Sequence, residues 1–271
     1  MNMSKPLKTI ILAGGLGTRL SEETDLRPKP MVEIGDHPIL WHIMNIYSAY
    51  GHDDFYIALG YKGEQIKQYF INYNTLANDI TVDLKNETLD YINKTSNNWS
   101  INLIETGKTT ETGGRILRLQ DFIGNETFLL TYGDGVADID INQLIQFHKS
   151  HGKLATITAV RPPSRFGRLE FDGSTVTSFS EKPQIGEGWI NGGFFVLEPD
   201  VFKYIQDDST VFEREPLEQL AREGQLEAYK HEGFWQPMDT LRELRLLRSM
   251  WDSNSAPWKI WGQHCHKTYL D

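Results

Sequence analysis

Short apolar runs alternate along the chain with stretches in which apolar residues recur at helical spacing. The apolar runs predict buried strands over 8–13, 55–59, 101–105, 128–132 and 154–160. The amphipathic stretches predict helices over 38–50, 63–73, 116–122, 141–151 and 240–251. Strands separated by helices favour parallel pairing, because the chain must cross the sheet between parallel strands. The pattern therefore predicts a Rossmann-like three-layer α/β/α sandwich with a mainly parallel mixed sheet and a C-terminal helix.

Two segments depart from this alternation. Residues 169–171 and 176–179, separated by Asp172, Gly173 and Ser174, predict a small β-hairpin. Residues 75–100 are polar and weakly periodic, so they form either an excursion from the sheet or a mobile cover. No internal repeat and no linker rich in proline, glycine or serine divides the sequence. We therefore expect one domain over residues 1–271.

The composition fits a large α/β domain and excludes several kinds of partner. Of the 271 residues 39% are hydrophobic, and the longest apolar runs fall far below the roughly 18 residues that a membrane span needs. No signal peptide precedes the first strand and Cys265 is the single cysteine, so we expect a cytoplasmic protein without disulfides. A net charge of −10 argues against general nucleic-acid binding. Backbone amides, a few basic residues and a bridging cation would have to hold any anionic ligand.

The first candidate for such a site is the glycine-rich segment 12–20, which follows the first predicted strand. Its backbone N–H groups can form an anion-binding nest, and Arg19 adds a planar pair of donors suited to phosphate oxygens. The alternative is a tight turn without a ligand. Two other glycine motifs fail, because position 20 is leucine where a dinucleotide fold needs glycine, and no P-loop lysine follows Gly17.

Three charged residues are the next candidates. Lys29 lies between Pro28 and Pro30, which hold the backbone extended and fix where the ammonium points. Asp134 lies between glycines at the end of a predicted strand, where ligands of open α/β sheets gather. Asp239 precedes the last predicted helix and could pair with Asp134 around one hard cation. The alternatives are a solvated lysine, a turn aspartate and a helix N-cap, respectively.

The remaining candidates are short polar groups. Residues 112–115 open a predicted helix, and the amides of a helix N-terminus favour an anion or a base carbonyl. Lys182 follows the predicted hairpin and Asn191 lies beside a predicted strand, so they supply a cation and an amide for a phosphorylated sugar. The alternative for each is an ordinary place on the surface.

These motifs together resemble the sugar-phosphate nucleotidyltransferase family over nearly the whole chain. The resemblance is carried by residues 12–20, Lys29, Asp134, residues 181–183, residues 191–193 and Asp239. Within the family, residues 21–24, 31–35, 131–138 and 234–242 are similar to the glucose-1-phosphate cytidylyltransferases. The resemblance implies CTP and α-D-glucose 1-phosphate as substrates, CDP-glucose and pyrophosphate as products, Mg²⁺ as cofactor and a homo-oligomer. It also implies a role in making deoxysugars for surface polysaccharides such as the O-antigen of lipopolysaccharide.

The resemblance implies roles for particular residues and segments. It implies a nucleotide-binding half over 8–135, a sugar-phosphate-binding half over 136–240, and a C-terminal helix and tail over 240–271. The nucleotide-binding residues that it implies are Leu12, Ala13, Gly14, Gly15, Leu16, Gly17, Thr18, Arg19, Lys29, Thr110, Arg115 and Gly133. Lys182, Asn191 and Gly192 would bind the sugar phosphate. Asp134 and Asp239 would hold Mg²⁺, and Arg19, Lys29 and Asp134 would act in catalysis.

The expected reaction is an in-line attack by an oxygen of the sugar phosphate on the α-phosphorus of the nucleotide, with pyrophosphate leaving towards the glycine-rich segment. Two alternatives stay open: another nucleotide or another sugar 1-phosphate, and a regulatory subunit that binds a nucleotide sugar without catalysis. The segment from Thr106 to Arg115 departs from the family's usual Thr-Gly-Asp-Ser-Ser-Met-Thr-Gly-Gly-Arg, and this departure bears on the choice of base.

Overall fold

A seven-stranded mixed sheet forms the centre of the part of the chain that the structure describes. The computed structural model describes residues 6–262 except 16, 93–96, 163–167, 173 and 181–187. It leaves undescribed the side chains of residues 19, 21, 22, 168–172, 179 and 180.

The strands in chain order are β1 Thr9–Leu12, β2 Glu33–Ile34, β3 His37–Pro38, β4 Asp54–Leu59, β5 Asp79–Asp83, β6 Thr88–Ile92, β7 Ser100–Glu105, β8 Phe128–Tyr132, β9 Gly135–Ala137, β10 Ala155–Val160, β11 Arg168–Asp172, β12 Thr175–Ser180, β13 Ile190–Leu197, β14 Leu226–His231 and β15 Trp235–Pro237. The α-helices are α1 Ser21–Thr24, α2 Ile39–Ser48, α3 Gly63–Ile71, α4 Tyr73–Ala77, α5 Thr112–Leu117, α6 Gln120–Ile123, α7 Ile141–His151, α8 Glu215–Arg222 and α9 Leu241–Asp252. Short 3-10 helices cover Thr18–Leu20, Lys29–Met31 and Pro199–Tyr204.

The central sheet has the strand order β14-β10-β13-β8-β1-β4-β7. Strand β1 runs parallel to β4 and β8, β7 runs parallel to β4, and β14 runs parallel to β10. Strand β13 is antiparallel to both β8 and β10. The prediction of a mainly parallel mixed sheet in an α/β fold is therefore confirmed.

The two faces of the sheet carry separate apolar cores. Ile11 of β1 belongs to one core, whereas its neighbours Ile10 and Leu12 belong to the other, because successive side chains of a strand point to opposite faces. Helices α2, α7 and α9 pack into the first core, and α5, α6, α8 and the 3-10 helix Pro199–Tyr204 pack into the second. The sheet thus lies between two helical layers, as the sequence predicts.

Two local predictions need correction or completion. The helix predicted over 116–122 is instead two short helices, α5 and α6, separated at Arg118 and Leu119. Residues 75–100 form an excursion: β5 and β6 pair with each other in a two-stranded sheet apart from the central one, with residues 93–96 outside the described part. The hairpin predicted over 169–179 is confirmed as the antiparallel pair β11 and β12, and its Gly173 lies outside the described residues.

The segment after α9 packs back onto the fold. Trp258 is fully buried, its ring stacks on Phe234 with centroids 5.6 Å apart, and its Nε1 donates to His42 Nδ1 at 3.3 Å. Burial lowers the pKa of His42 to about 4, so the imidazole is neutral and Nδ1 can accept while Nε2 donates to the Ile34 carbonyl at 2.9 Å. None of the described helices is long and apolar enough to cross a membrane.

We expect Trp258→Ala to lower the free energy of unfolding by about 3–5 kcal/mol, because it removes a large buried ring. Urea unfolding followed by circular dichroism measures the change. Leu84→Ala is the control: this side chain is 86% exposed, so its truncation should cost less than about 0.5 kcal/mol. Equal effects of the two substitutions would contradict the packing of the tail.

Candidate active site

A cavity of about 510 Å³ opens at the carboxyl ends of β1 and β8, at the switch point where an open α/β sheet offers a crevice. The antiparallel strand β13 begins at the same edge, because its Phe194 pairs with Thr131 of β8. The lining residues are Leu12, Ala13, Gly14, Gly15, Gly17, Thr18, Lys29, Pro30, Thr110, Glu111, Thr112, Arg115, Thr131, Tyr132, Gly133, Asp134, Gly135, Asn191, Gly192, Gly193, Phe194, Trp235, Pro237 and Asp239.

The short ladder between β9 and β15 brings the two aspartates together. Pro237 pairs with Gly135 in this antiparallel ladder, and the Met238 amide donates to the carbonyl of Asp134 at 2.8 Å. Asp134 precedes β9 and Asp239 follows β15, so both lie at the same end of the ladder. Backbone pairing alone therefore explains how two residues so far apart in sequence face one cavity.

Lys29 completes this group. Its Nζ lies 2.7 Å from Asp134 Oδ2 and 2.5 Å from Asp239 Oδ1. The Lys29 side chain is only 9% exposed, whereas those of Asp134 and Asp239 are 33% and 15% exposed. Burial opposes the charged form of Lys29, but the two carboxylates outweigh it, so the pKa of Lys29 lies above its ordinary value. The ammonium therefore stays charged throughout the neutral pH range.

The position of Lys29 follows from its neighbours. Pro28 is extended, with φ −66° and ψ 148°, and Pro30 lies in the short 3-10 helix that begins at Lys29. Gly17 adopts a left-handed φ of 65°, and a Cβ there would lie 3.2 Å from the Lys29 Cβ and 2.8 Å from a Thr24 methyl. The glycine-rich segment thus packs directly against the stem of the lysine.

The glycine-rich segment is attached to the sheet by backbone hydrogen bonds. The Gly133 amide donates to the Leu12 carbonyl at 3.0 Å, and the Tyr61 amide donates to the Gly14 carbonyl at 3.2 Å. Leu16 lies outside the described residues. Arg19 lies in the 3-10 helix Thr18–Leu20, and its side chain is not described. Of the other segment residues, Leu20 is buried in the first core, whereas the cavity is lined by Leu12, Ala13, Gly14, Gly15, Gly17 and Thr18.

Arg115 lines the cavity, and its guanidinium is bonded to the protein. Nη1 lies 3.0 Å from the Leu59 carbonyl, 2.8 Å from Thr106 Oγ1 and 2.7 Å from the Gly107 carbonyl, while Nη2 lies 3.1 Å from the Gly14 carbonyl. The residue is 5% exposed, and burial lowers its pKa. Arg115 thus joins the ends of β4 and β7 to the glycine-rich segment, a bracing position that the sequence motif alone did not indicate.

On the opposite side of the cavity lie Asn191 and Gly192 in β13. Trp235 of β15 lines the cavity as well, and its Nε1 donates to the Gly192 carbonyl at 2.7 Å. Lys182, the predicted basic residue of this side, lies outside the described residues. Sequence reasoning missed Trp235, although it lies within the motif run 234–242 that carried the resemblance.

Asp239 does not cap helix α9, so that alternative is wrong. Thr240 is the N-cap: its Oγ1 accepts from the Glu243 amide at 3.3 Å, and Glu243 Oε2 accepts from the Thr240 amide at 2.9 Å. This reciprocal capping box satisfies the helix start without the Asp239 carboxylate. The Asp239 side chain can therefore reach Lys29 in the cavity.

Asp134 and Asp239 fit a divalent cation. One oxygen of each carboxylate contacts Lys29 Nζ, at 2.7 and 2.5 Å, so both carboxylates point towards the same position in the cavity. Carboxylate oxygens suit a hard cation that takes its remaining ligands from water and phosphate. Among the described residues no group of three or more histidine, cysteine, aspartate or glutamate side chains could hold a metal, so the pair would need such external ligands.

Comparison with known proteins identifies the family of the chain. Residues 8–245 match the family model described as "Nucleotidyl transferase". The chain belongs to the nucleotidyl transferase family. It is 52% identical to a glucose-1-phosphate cytidylyltransferase of Salmonella typhi, over 94% of this chain and 100% of that protein. It is 47% identical, with the same coverage, to a "Probable glucose-1-phosphate cytidylyltransferase" of Bacillus subtilis.

The fold is also found in a solved structure. The crystal structure of HddC from Yersinia pseudotuberculosis superposes with a TM-score of 0.68, covering 90% of this chain and 99% of that one. The two sequences are 24% identical, so this likeness concerns the fold.

We expect Gly14→Ala to destabilise the protein by about 1–3 kcal/mol. A Cβ at Gly14 would lie 2.2 Å from Arg115 Nη1, and displacing this buried guanidinium would leave its carbonyl partners unsatisfied. Gly15→Ala is the control, because no atom lies within 4 Å of the Cβ position there. Thermal unfolding of the ligand-free variants measures both effects, and a Gly14→Ala variant as stable as Gly15→Ala would refute the bracing by Arg115.

Proposed function

We propose that the protein transfers a cytidylyl group from CTP to α-D-glucose 1-phosphate, with CDP-glucose and pyrophosphate as products. The observation that supports it most is the convergence of Lys29, Asp134 and Asp239 in a cavity beside the glycine-rich segment. The choice of CTP and glucose 1-phosphate draws on the relatives named glucose-1-phosphate cytidylyltransferase, which match at 47–52% identity over 94% of this chain.

Asp134 and Asp239 would hold Mg²⁺, which neutralises phosphate oxygens when it is bound. The backbone amides of the glycine-rich segment and the guanidinium of Arg19 would bind the triphosphate. The Lys29 ammonium, fixed by its proline neighbours, would offset the charge that two anionic reactants bring together. These residues would thus orient the reactants and stabilise the developing charge.

In the proposed step a phosphate oxygen of glucose 1-phosphate attacks the α-phosphorus of CTP. The new phosphorus–oxygen bond forms as the bond to the bridging oxygen of the β-phosphate breaks, and the electron pair leaves with pyrophosphate. Asn191 and Gly192 of β13 would bind the sugar phosphate, and Lys182 would supply a positive charge for it. The reaction needs no covalent intermediate with the protein.

The organisation of the protein follows from the same proposal. The halves 8–135 and 136–240 would work as one domain, because β8 of the first half pairs with β13 of the second and the cavity lies between them. A cytoplasmic location and a homo-oligomeric state stay predictions. The role in deoxysugars of surface polysaccharides likewise stays a prediction.

The test of the proposed function is pyrophosphate release by the purified protein. We expect turnover with CTP, glucose 1-phosphate and Mg²⁺, loss of turnover with excess EDTA, and CDP-glucose as the product by mass spectrometry. A screen of CTP, UTP, GTP and ATP against several hexose 1-phosphates measures the selectivity. Turnover with another base or sugar would correct the substrates, and binding without any turnover would favour the regulatory alternative.

We expect Asp134→Asn and Asp239→Asn each to lower kcat/KM by about a hundredfold or more, because each removes a carboxylate that would hold the Mg²⁺ opposite the charged phosphates. Steady-state kinetics at saturating Mg²⁺ measures the loss. Asp140→Asn is the matched control: Asp140 caps α7 outside the cavity, and asparagine is an equally good N-cap. Near-normal activity of Asp134→Asn would contradict the assignment of the cation site.

A further inference from the structure

A chain of hydrogen bonds connects Asn191, which lines the cavity, to the start of helix α5. Asn191 Nδ2 lies 3.0 Å from the Tyr132 hydroxyl, and that hydroxyl lies 2.6 Å from Glu213 Oε1. The second oxygen of Glu213 lies 2.5 Å from Thr112 Oγ1. We call these four residues, Asn191, Tyr132, Glu213 and Thr112, the relay.

In each hydrogen bond of the relay, the donor and the acceptor can be assigned. An ionised carboxylate has no hydrogen to donate, so Tyr132 and Thr112 both donate to Glu213. Burial, reinforced by the charge of Glu213, raises the pKa of Tyr132, so its hydroxyl keeps the proton that it donates. The Tyr132 oxygen therefore accepts from Asn191. The amide group of Asn191 is held with its nitrogen towards Tyr132.

The other bonds of Asn191 agree with this orientation. Its Oδ1 accepts from the Gly193 amide at 2.8 Å. One N–H of Nδ2 is used on Tyr132, and no residue of the described part of the chain accepts the second N–H, which can bind a ligand in the cavity that Asn191 lines. The fixed amide thus presents a donor, which suits an oxygen of a phosphate or a hydroxyl group.

The far end of the relay is anchored to the nucleotide side of the site. The Glu111 amide donates to the Asp208 carbonyl at 2.8 Å, and the Gly113 amide donates to the Thr210 carbonyl at 2.9 Å. The Phe212 amide donates to Thr112 Oγ1 at 2.9 Å. These bonds join residues 208–212 to the start of α5, the helix that also carries Arg115. Glu213 is therefore held by the same helix that braces the glycine-rich segment.

We propose that Tyr132 and Glu213 are positioning residues that hold Asn191 as a hydrogen-bond donor to an oxygen of the sugar phosphate. The inference rests on the proposed function, in which Asn191 meets that substrate. Glu213 is not among the described residues that line the cavity, so it acts through Tyr132 and not by direct contact. Through Asn191 the relay therefore acts on the affinity for the sugar phosphate.

The test is steady-state kinetics of Tyr132→Phe, Glu213→Gln and Glu213→Ala with both substrates varied. We expect Tyr132→Phe and Glu213→Ala to raise the KM for glucose 1-phosphate about ten- to a hundredfold, the size of one lost hydrogen bond to a charged group. For Tyr132→Phe the KM for CTP should stay within about twofold, because this substitution removes the hydrogen bond to Asn191 and leaves Glu213 bonded to Thr112. Glu213→Gln keeps one acceptor oxygen, so its effect should be smaller than that of Glu213→Ala.

The double variant Tyr132→Phe/Glu213→Ala separates the relay from independent contacts. Residues that act through one chain give non-additive effects, so the double variant should match Tyr132→Phe alone. Tyr204→Phe is the matched control, since Tyr204 donates to Glu223 at 2.6 Å in a tyrosine–glutamate pair that lies away from the cavity. It should leave both KM values unchanged.

Several results would overturn the proposal. Additive effects, equal rises in both KM values, or an unchanged KM for glucose 1-phosphate would show that Asn191 does not depend on the relay. Circular dichroism of each variant precedes the kinetics, and Glu213→Gln replaces Glu213→Ala if the latter does not fold. If the wild type makes no CDP-glucose, the proposed function is wrong and the relay's role falls with it. If the wild type makes CDP-glucose and the variants keep its KM for glucose 1-phosphate, the result contradicts the relay but not the proposed function.

Discussion

The contact of one ammonium group with two carboxylates is the interaction on which the site depends. Asp134 and Asp239 face the same point of the cavity, and two like charges this close would repel each other without a cation between them. Lys29 supplies that cation from a third part of the chain. The β9–β15 ladder, the prolines beside Lys29 and the positive φ of Gly17 are all arrangements of backbone that bring these three side chains together.

The two sides of the cavity are built differently around this centre. On the side of the glycine-rich segment, Arg115 bonds to the ends of two strands and to Gly14, so this segment is attached to the sheet. On the other side, Asn191 and Trp235 bond to neighbouring groups of the protein. A site whose groups are fixed in advance stabilises charge without the cost of reorienting solvent.

The sequence predicted most of the fold, because buried strands such as β1 and β8 are short apolar runs and the long helices are amphipathic. Lys29 carried a local signal, its flanking prolines. Asp239 was ambiguous until the structure showed Thr240 as the cap, although Thr240 and Glu243 have the spacing of a capping box. The contact between Glu213 and Tyr132 could not be predicted, because the two residues lie 81 positions apart in the sequence and Glu213 lies in an irregular segment. Its role depends on tertiary packing alone.

The most direct measurement of the central claim is the position of a divalent ion in a crystal of the protein. Crystals grown with Mn²⁺ and a non-hydrolysable CTP analogue give an anomalous signal that locates the metal independently of the protein coordinates. The account predicts one strong peak about 2 Å from a carboxylate oxygen of both Asp134 and Asp239 and from a phosphate oxygen of the analogue. A metal bound to the phosphates alone, or next to other side chains, would contradict it.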